Sequence, residues 1–240
     1  KWKNWNNGIY RMPLPEGREF YTMLEGDKKA YIAQEPDWDP NTLTGNFLWT
    51  DGQRMIDLNE FYYDRFRFKV GDLNPNWDYS NAKIEMWGAD FFINIIPVKN
   101  VSFDEKRIYM DGNATYKIPF ARSGEEISSI HLNNRYRILN SLSFLDEGGE
   151  FYIDKNENYL YYKPIDSNFL NKKIYAPKST KVFKTSNAEN IHLHRLNIFG
   201  SDFVDKVYGS ITNDNATNVQ NSFKSLSVGG LVYVENSNNI

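Results

Sequence analysis

Two stretches of the chain repeat one pattern, and this pattern decides the fold. Residues 182–191 read Val-Phe-Lys-Thr-Ser-Asn-Ala-Glu-Asn-Ile, and residues 231–240 read Leu-Val-Tyr-Val-Glu-Asn-Ser-Asn-Asn-Ile, an offset of 49 residues. Short strands with asparagine corners are typical of a parallel β-helix, in which each coil stacks on the previous one. A coil has about 20–25 residues. The offset therefore predicts either two coils, or one coil with a long loop at the polar residues 213–225.

Before residue 174, aromatic strands alternate with turns. Residues 151–153 and 159–162 are apolar and flank a polar Asp-Lys-Asn-Glu-Asn segment, which predicts a hairpin. Residues 108–110 and 115–118 lie on either side of an Asp-Gly pair, which predicts a second hairpin with a tight turn. Both patterns are typical of antiparallel sheets.

Helix content is expected to be low. Phe66, Phe68 and Val70 alternate with charged residues, which predicts a half-buried strand. Apolar residues at i, i+4 and i+7 predict one helix over residues 136–146, and a second short helix is expected over residues 55–61. The sequence therefore predicts an all-β fold with a β-sandwich-like domain over residues 1–173 and part of a parallel β-helix over residues 174–240.

Composition excludes several classes of function. The chain has 240 residues, 16% of them aromatic, a net charge of −3 and no cysteine. A nucleic-acid groove would need a basic stripe, and disulfides or thiolate metal sites would need cysteine. No apolar run is long enough for a membrane span. The sequence also has no phosphate-binding Gly-rich loop and no Gly-x-Ser-x-Gly nucleophile motif.

Four stretches resemble a known group of proteins. Their sequences are Gly-Ile-Tyr-Arg with a following Phe-Tyr-Thr-Met-Leu-Glu-Gly-Asp-Lys-Lys, Gly-Glu-Phe-Tyr-Ile-Asp after a predicted short helix, Tyr-Leu-Tyr-Tyr-Lys-Pro, and Asn-Ala-Glu-Asn-Ile leading to Leu-Asn-Ile-Phe-Gly; they lie at residues 8–29, 136–154, 159–164 and 187–200. They resemble secreted right-handed parallel β-helix proteins that act on carbohydrates, namely glycoside hydrolases and polysaccharide lyases with a β-sandwich domain inserted between coils. The segment Ala-Gln-Glu-Pro at residues 33–36 departs from the Arg-Tyr/Phe-Pro-like pattern of that group.

The resemblance implies an exported or cell-surface protein whose partner is a polysaccharide or oligosaccharide. It implies a glycoside hydrolase first, with a polysaccharide lyase as an alternative. Catalytic acids in such proteins lie on the coils, so this chain is expected to be a fragment without all of them. A non-catalytic carbohydrate-binding or adhesive module, or a viral tail fibre domain, remains open. No cofactor is expected.

Candidate catalytic residues are Asp202 and Asp205, which follow the predicted strand that ends at Gly200. Carboxylates at the end of a β-helix strand have the chemistry of a glycosidase acid and nucleophile or base. A solvated turn is the ordinary structural interpretation of the same residues.

Candidate substrate-binding residues are Trp38, Trp49 and Trp77, which lie in polar, Pro- and Asn-rich surroundings. An exposed indole can stack on the apolar face of a sugar. The alternative for each tryptophan is a place in the core.

Metal binding is not expected, although two patterns were considered. Asp37 and Asp39 resemble the start of a calcium loop, but the loop lacks the Gly and Glu that should follow. His192 and His194 alternate on a presumed strand and could share a metal. The more ordinary interpretation makes these histidines outward residues, with Ile191, Leu193 or Leu196 facing inward.

Overall fold

The computed structural model describes residues 1–37, 39, 46–89, 92–119, 133–179, 181–196 and 232–238. Within them the regular secondary structure is nearly all β-strand, which confirms the all-β prediction. The strands are β1 (Lys3–Asn6), β2 (Ile9–Pro13), β3 (Met23–Glu25), β4 (Lys28–Ile32), β5 (Gln34–Glu35), β6 (Leu48–Trp49), β7 (Arg65–Arg67), β8 (Lys83–Ala89), β9 (Phe92–Ser102), β10 (Arg107–Met110), β11 (Arg135–Leu139), β12 (Glu150–Asp154), β13 (Tyr159–Lys163), β14 (Ile174–Tyr175), β15 (Phe183–Ser186) and β16 (Val232–Glu235).

Helices are few and short in these ranges. The α-helix α1 spans Gly52–Asp57, close to the helix expected at residues 55–61, and its N-cap Asp51 accepts a hydrogen bond from the backbone N–H of Arg54. Two 3₁₀ helices span Leu142–Phe144 and Phe169–Asn171. No described helix is long and apolar enough to cross a bilayer.

The strands form two large sheets and one separate pair. The first sheet has the order β1-β2-β13-β12-β4-β3-β14. Its neighbouring strands are antiparallel except for β12 and β4, which run parallel. The second sheet has the order β5-β11-β8-β9-β10-β7, and β6 also pairs with β11. β15 and β16 form the separate pair.

Two apolar clusters hold the sheets together. The first joins inward side chains of both sheets, among them Ile9, Tyr152, Tyr161, Phe66, Ile84, Met86, Tyr136 and Ile138. The second covers the other face of the first sheet and includes Phe20, Met23, Phe151, Ile153, Leu160, Tyr162 and Phe169. Successive residues of β12 therefore enter different clusters, because alternate side chains of a strand point to opposite faces. This explains why the sequence of β12 and β13 is apolar almost without interruption.

The hairpin predicted from residues 151–162 is confirmed. β12 and β13 pair in antiparallel register from Glu150–Lys163 to Asp154–Tyr159. The Asp154 carboxylate accepts hydrogen bonds from the backbone N–H of Asn156 at 2.9 Å and of Glu157 at 3.0 Å. A short polar side chain thus organises the turn, as Asp residues commonly do.

The helix predicted over residues 136–146 is wrong. Residues 135–139 form strand β11, in which Tyr136 and Ile138 face the first cluster. Tyr136 and Ile138 follow the two-residue period of a strand. This period prevails over the helical one because β11 is hydrogen-bonded to β5 on one side and to β8 on the other. Asn140 follows with φ of 60° and ends the strand. Only the 3₁₀ turn Leu142–Phe144 remains of the predicted helix.

The hairpin predicted over residues 108–118 is also wrong. β10 pairs with β9 and β7 instead. After Gly112 the chain leaves the sheet, because the backbone N–H of Ala114 donates to the Tyr63 carbonyl at 2.7 Å. Thr115 is fixed by hydrogen bonds with the buried Asn94 side chain at 2.9 and 3.1 Å. Buried polar contacts at long range outweigh the local turn signal here.

The strand predicted around Phe66 is present, but it is shorter than the alternation suggested. Phe66 and Phe68 are buried, with Phe68 in an isolated bridge to Thr50 after β7 has ended. Val70 is 75% exposed, so it does not continue the buried face.

The repeated stretches lie side by side. β15 and β16 pair in parallel, with Phe183 opposite Val232 and Ser186 opposite Glu235, which is the register of the 49-residue offset. Asn187 and Asn236 occupy equivalent corners with φ of 52° and 44°. Because the two strands are direct neighbours, the offset corresponds to one repeat with a long connection and not to two coils. The domain boundary at residues 173 and 174 stays a prediction.

Candidate functional site

An acidic cluster is the most concentrated titratable site in the described part of the chain. The side chains of Asp37, Asp146 and Glu150 place carboxylate oxygens within 4.8 Å of one another. Asp37 follows β5, Asp146 lies in the turn before β12, and Glu150 is the first residue of β12. The cluster therefore depends on the fold, since 113 residues separate Asp37 from Glu150.

The turn before β12 builds the centre of this cluster. Glu150 is 5% exposed, and its Oε2 atom accepts hydrogen bonds from the backbone N–H of Asp146 at 3.2 Å and of Glu147 at 3.1 Å. Gly149 has φ of 97°, and a Cβ atom there would lie 2.9 Å from a side-chain carbon of Ile165. Only glycine fits this turn without strain.

Burial, together with the charges of neighbouring carboxylates, raises the pKa of Glu150 and of Asp37. Burial raises the pKa of Glu150 to about 8, and the charges of Asp37 and Asp146 act in the same direction. Burial, and then the charges of Asp146 and Glu147, raise the pKa of Asp37 to about 6. The pKa of Glu35 is also raised, mainly by burial. The arrangement can hold a proton near neutral pH, and its oxygens are the ligand type that hard divalent cations prefer.

Sequence reasoning found the members of this cluster but not their contact. Asp37 was considered as the first residue of a calcium loop, whereas the structure places it against Asp146 and Glu150. Asp146 was the last residue of the helix predicted over residues 136–146, and Glu150 lies four residues beyond it in the sequence. The available signal was Glu150 itself, a carboxylate at the start of a strand that is otherwise buried.

The candidate tryptophans have different environments. Trp49 is 44% exposed, on the short strand β6. Trp77 is half-buried and packs edge-to-face on Phe144 at 5.1 Å between ring centroids, so it contributes to the first apolar cluster. Trp38 lies outside the described residues.

The candidate catalytic pair, Asp202 and Asp205, lies outside the described residues, and its role stays a prediction. His192 and His194 are exposed, but residues 191–194 form no strand. Of the three residues expected to face inward, Leu193 is 36% exposed, Leu196 is 61% exposed and Ile191 is half-buried.

A second concentrated feature covers one face of the second sheet. Arg135 and Arg137 on β11 lie over the rings of Phe47 and Trp87, at distances of 4.2 to 5.9 Å from guanidinium carbon to ring centroid. The two rings meet edge-to-face at 4.9 Å. Trp49 is paired with Arg135 on the neighbouring strand. Aromatic and cationic groups thus lie together beside the exposed Trp49.

Comparisons with known proteins give weak similarities. No family model matches the chain. Over 150 residues the chain is 25% identical to a probable GTP-binding protein EngB of Mycoplasmoides gallisepticum (strain R(low / passage 15 / clone 2)), which covers 60% of this chain and 81% of that protein. A solved glycoside hydrolase superposes with a TM-score of 0.44 and 14% identity, over 77% of this chain and 31% of the hydrolase. This chain thus spans about a third of the length of that hydrolase.

The similarity to the GTP-binding protein does not extend to a phosphate-binding motif in this sequence. A phosphate-binding loop of the Gly-x-x-x-x-Gly-Lys-Ser/Thr type needs a Gly-Lys pair before a helix. The sequence contains no Gly-Lys pair. We therefore derive no nucleotide-binding function from this similarity.

Proposed function

We propose that this chain is part of an exported, polysaccharide-degrading protein, most specifically a glycoside hydrolase, in which β15 and β16 are stacked coils of a right-handed parallel β-helix. The observation that carries the proposal is the parallel pairing of the repeated stretches, with Phe183 opposite Val232. The equivalent corner residues Asn187 and Asn236 both have positive φ. Stacked parallel strands with matched asparagine corners support the architecture that the sequence resemblance implies.

The two large sheets would form the domain inserted between coils. In this proposal Asp202 and Asp205, in the connection between β15 and β16, supply the acid and the nucleophile or base. The turn after a β-helix strand is a suitable place for such a pair, because loops on a rigid scaffold commonly carry catalytic residues.

A non-catalytic carbohydrate-binding module is the second candidate. It is favoured by the exposed indole of Trp49 beside the guanidinium of Arg135. A flat aromatic side chain next to a fixed charge can bind a sugar without any catalytic pair.

The deciding experiment assays the full-length parent protein and the 240-residue chain in parallel on plant, algal and host glycans. New reducing ends would indicate hydrolysis, and an unsaturated product that absorbs in the ultraviolet would indicate lyase chemistry. We expect the parent to hydrolyse one glycan, and Asp202→Asn or Asp205→Asn in the parent to lower kcat by about 100-fold or more. Recovery of the parent in the extracellular or surface fraction would support export.

Each other outcome has a definite meaning. Full activity of both aspartate variants would remove these residues from catalysis. If the parent cleaves no glycan while the 240-residue chain retains one in affinity electrophoresis, the hydrolase proposal fails and the binding module replaces it. An unsaturated product would replace the hydrolase by a lyase.

A further inference from the structure

One row of side chains crosses the outer face of the second sheet. Trp49 is the partner of Arg135 across β6 and β11, and Trp87 is the partner of Ile93 across β8 and β9. The Arg135 guanidinium carbon lies 4.8 Å from the Trp87 ring centroid, which connects the two pairs. Four adjacent strands span about 14 Å at the usual strand spacing. The row is therefore long enough to contact several consecutive sugar units.

These side chains point away from the core. The strand neighbours Leu48, Tyr136 and Met86 belong to or pack against the first apolar cluster. Since side chains alternate along a strand, the row lies on the opposite face. Trp49 is 44% exposed and Ile93 is 36% exposed. A ligand in solution can reach the row at both ends.

Further along the strands from the row, the same face of the second sheet is covered. The buried Lys83 on β8 forms an ion pair with Glu19 and a hydrogen bond with Tyr21. Leu139 and Ile95, on the neighbouring strands, belong to the second apolar cluster. The segment around Glu19 therefore closes this end, and the Trp49 end is the accessible part of the face.

The row carries a fixed positive charge. The Arg135 guanidinium carbon lies 5.0 Å from the centroid of the Phe47 ring and 4.8 Å from the centroid of the Trp87 ring. In the described residues no carboxylate is within ion-pair distance of Arg135, whereas Arg137 on the same face lies 3.7 Å from a Glu85 oxygen. Contact with two rings restricts the Arg135 guanidinium and thereby reduces the entropy lost when an anion binds.

We propose that this row binds an acidic glycan, with a sugar ring stacked on the Trp49 indole and a carboxylate or sulfate of the glycan paired with Arg135. The proposal rests on the carbohydrate role proposed above and names the class of sugar. An indole binds the apolar C–H face of a pyranose. A guanidinium binds a carboxylate or sulfate through two parallel hydrogen bonds, which a neutral sugar cannot provide. The Trp49 indole and the Arg135 guanidinium lie on neighbouring strands. One sugar can therefore stack on the indole while the charged group of the next sugar pairs with the guanidinium.

The test uses the 240-residue chain and two matched pairs of polymers. Polygalacturonate is compared with its fully methylated ester, and dextran sulfate with dextran, by affinity electrophoresis and calorimetry at two salt concentrations. We expect at least tenfold tighter binding to one charged polymer than to its neutral counterpart. The favoured pair identifies whether the anion is a carboxylate or a sulfate. Because Trp49 contributes contacts that salt does not screen, part of the affinity should persist at high salt.

Variants assign the binding to the row. Trp49→Ala and Arg135→Gln should each weaken binding at least tenfold, and Arg135→Lys should restore only part of the loss because it lacks the fork. Trp5→Ala and Arg11→Gln are matched controls on the first sheet, where Trp5 is 38% exposed and Arg11 stacks on Tyr159 at 4.9 Å. These controls should bind as the unmodified chain does. Near-ultraviolet circular dichroism verifies that each variant is folded.

Three results would overturn the inference. Equal retention of charged and neutral polymers would remove the acidic class, and equal loss in the Trp5 and Arg11 controls would show non-specific attraction. Unchanged binding in a folded Arg135→Gln variant would place the site elsewhere. Cleavage by the parent protein is measured independently, so the proposed hydrolase function stands or falls separately from this surface.

Discussion

At the scale of single residues, Glu150 has the environment with the clearest consequence for pH dependence. Its carboxyl is buried and lies against Asp37 and Asp146, and these conditions raise its pKa to about 8. In the unfolded chain the same group would titrate at its ordinary value near 4.5. Between these values the folded protein holds a proton that the unfolded chain has released.

We predict from this that stability falls as pH rises from about 5 to about 8. The stabilisation linked to Glu150 is complete below the ordinary pKa and is lost as pH passes through the raised one, with a limiting slope of about 1.4 kcal/mol per pH unit. Glu150→Gln keeps an acceptor for the backbone N–H groups of Asp146 and Glu147 but removes the titration. Thermal unfolding across this pH range should therefore show a smaller decrease for the variant.

The exposed Glu157 in the β12–β13 turn provides the matched control. Glu157→Gln removes an exposed carboxylate that lies outside the acidic cluster, so the decrease linked to Glu150 should persist in this variant. A Glu150→Gln profile parallel to that of the unmodified chain would contradict the assignment of the raised pKa to this carboxyl.

At the scale of elements, Asn140 connects the two large sheets. Its side-chain amide donates to the carbonyls of Asn81 and Ile153, each at 3.0 Å, and its side-chain oxygen accepts from the N–H of Ile153 at 2.9 Å. It also ends β11 with φ of 60° and is 1% exposed. One side chain thus fixes the end of a strand in the second sheet to β12 in the first.

Asn140→Ala should destabilise the chain by roughly 3–5 kcal/mol. Three hydrogen bonds of about 1 kcal/mol each are lost, buried backbone groups of Ile153 lose their partner, and a left-handed conformation costs alanine about 1 kcal/mol more. Chemical denaturation measures the loss.

Asn140→Gly separates these causes, because glycine adopts the positive φ without strain but restores no hydrogen bond. We expect Asn140→Gly to recover about 1 kcal/mol relative to the alanine variant. Equal stability of the alanine variant and the unmodified chain would exclude Asn140 as the connection between the sheets.

At the scale of the whole molecule, sequence patterns predicted the strand pairings that are local in sequence or that join repeated stretches. The β12–β13 hairpin has both strands and its turn within fifteen residues, and the β15–β16 register follows from the repeated sequence itself. β11 was wrongly predicted as a helix because its strand partners, β5 and β8, are distant in sequence. Apolar residues there satisfied a helical and a strand period together, and only pairing could decide between them.

The same limit applies to the two candidate sites. Asp37 and Glu150 are 113 residues apart in the sequence, and no local pattern predicts that their carboxylates meet. Trp49 could be selected as an exposed aromatic residue, but its neighbour Arg135 directly precedes the wrongly predicted helix over residues 136–146, and nothing in the sequence pairs it with Trp49. Residue chemistry was therefore visible in the sequence, whereas the juxtaposition of residues depended on long-range strand pairing.

The 49-residue repeat predicts which residues of β15 and β16 lie opposite each other. Ser186 and Glu235 are partners across β15 and β16, and neither side chain is buried. The natural sequence has no cysteine, so a Ser186→Cys, Glu235→Cys double variant adds only one possible disulfide. Partnered residues in neighbouring strands lie within the Cα separation that a disulfide spans. Mild oxidation should therefore remove both free thiols in the monomer and stabilise it by up to about 4 kcal/mol.

A double variant shifted by one residue, Ser186→Cys with Val234→Cys, provides the control. Adjacent residues of a strand point to opposite faces, so this pair should stay reduced under the same conditions. Thiol titration and non-reducing electrophoresis distinguish the two variants. Oxidation of the shifted pair in preference to the matched pair would contradict the register. It would also remove the observation on which the proposed β-helix, and with it the proposed polysaccharide-degrading function, depends.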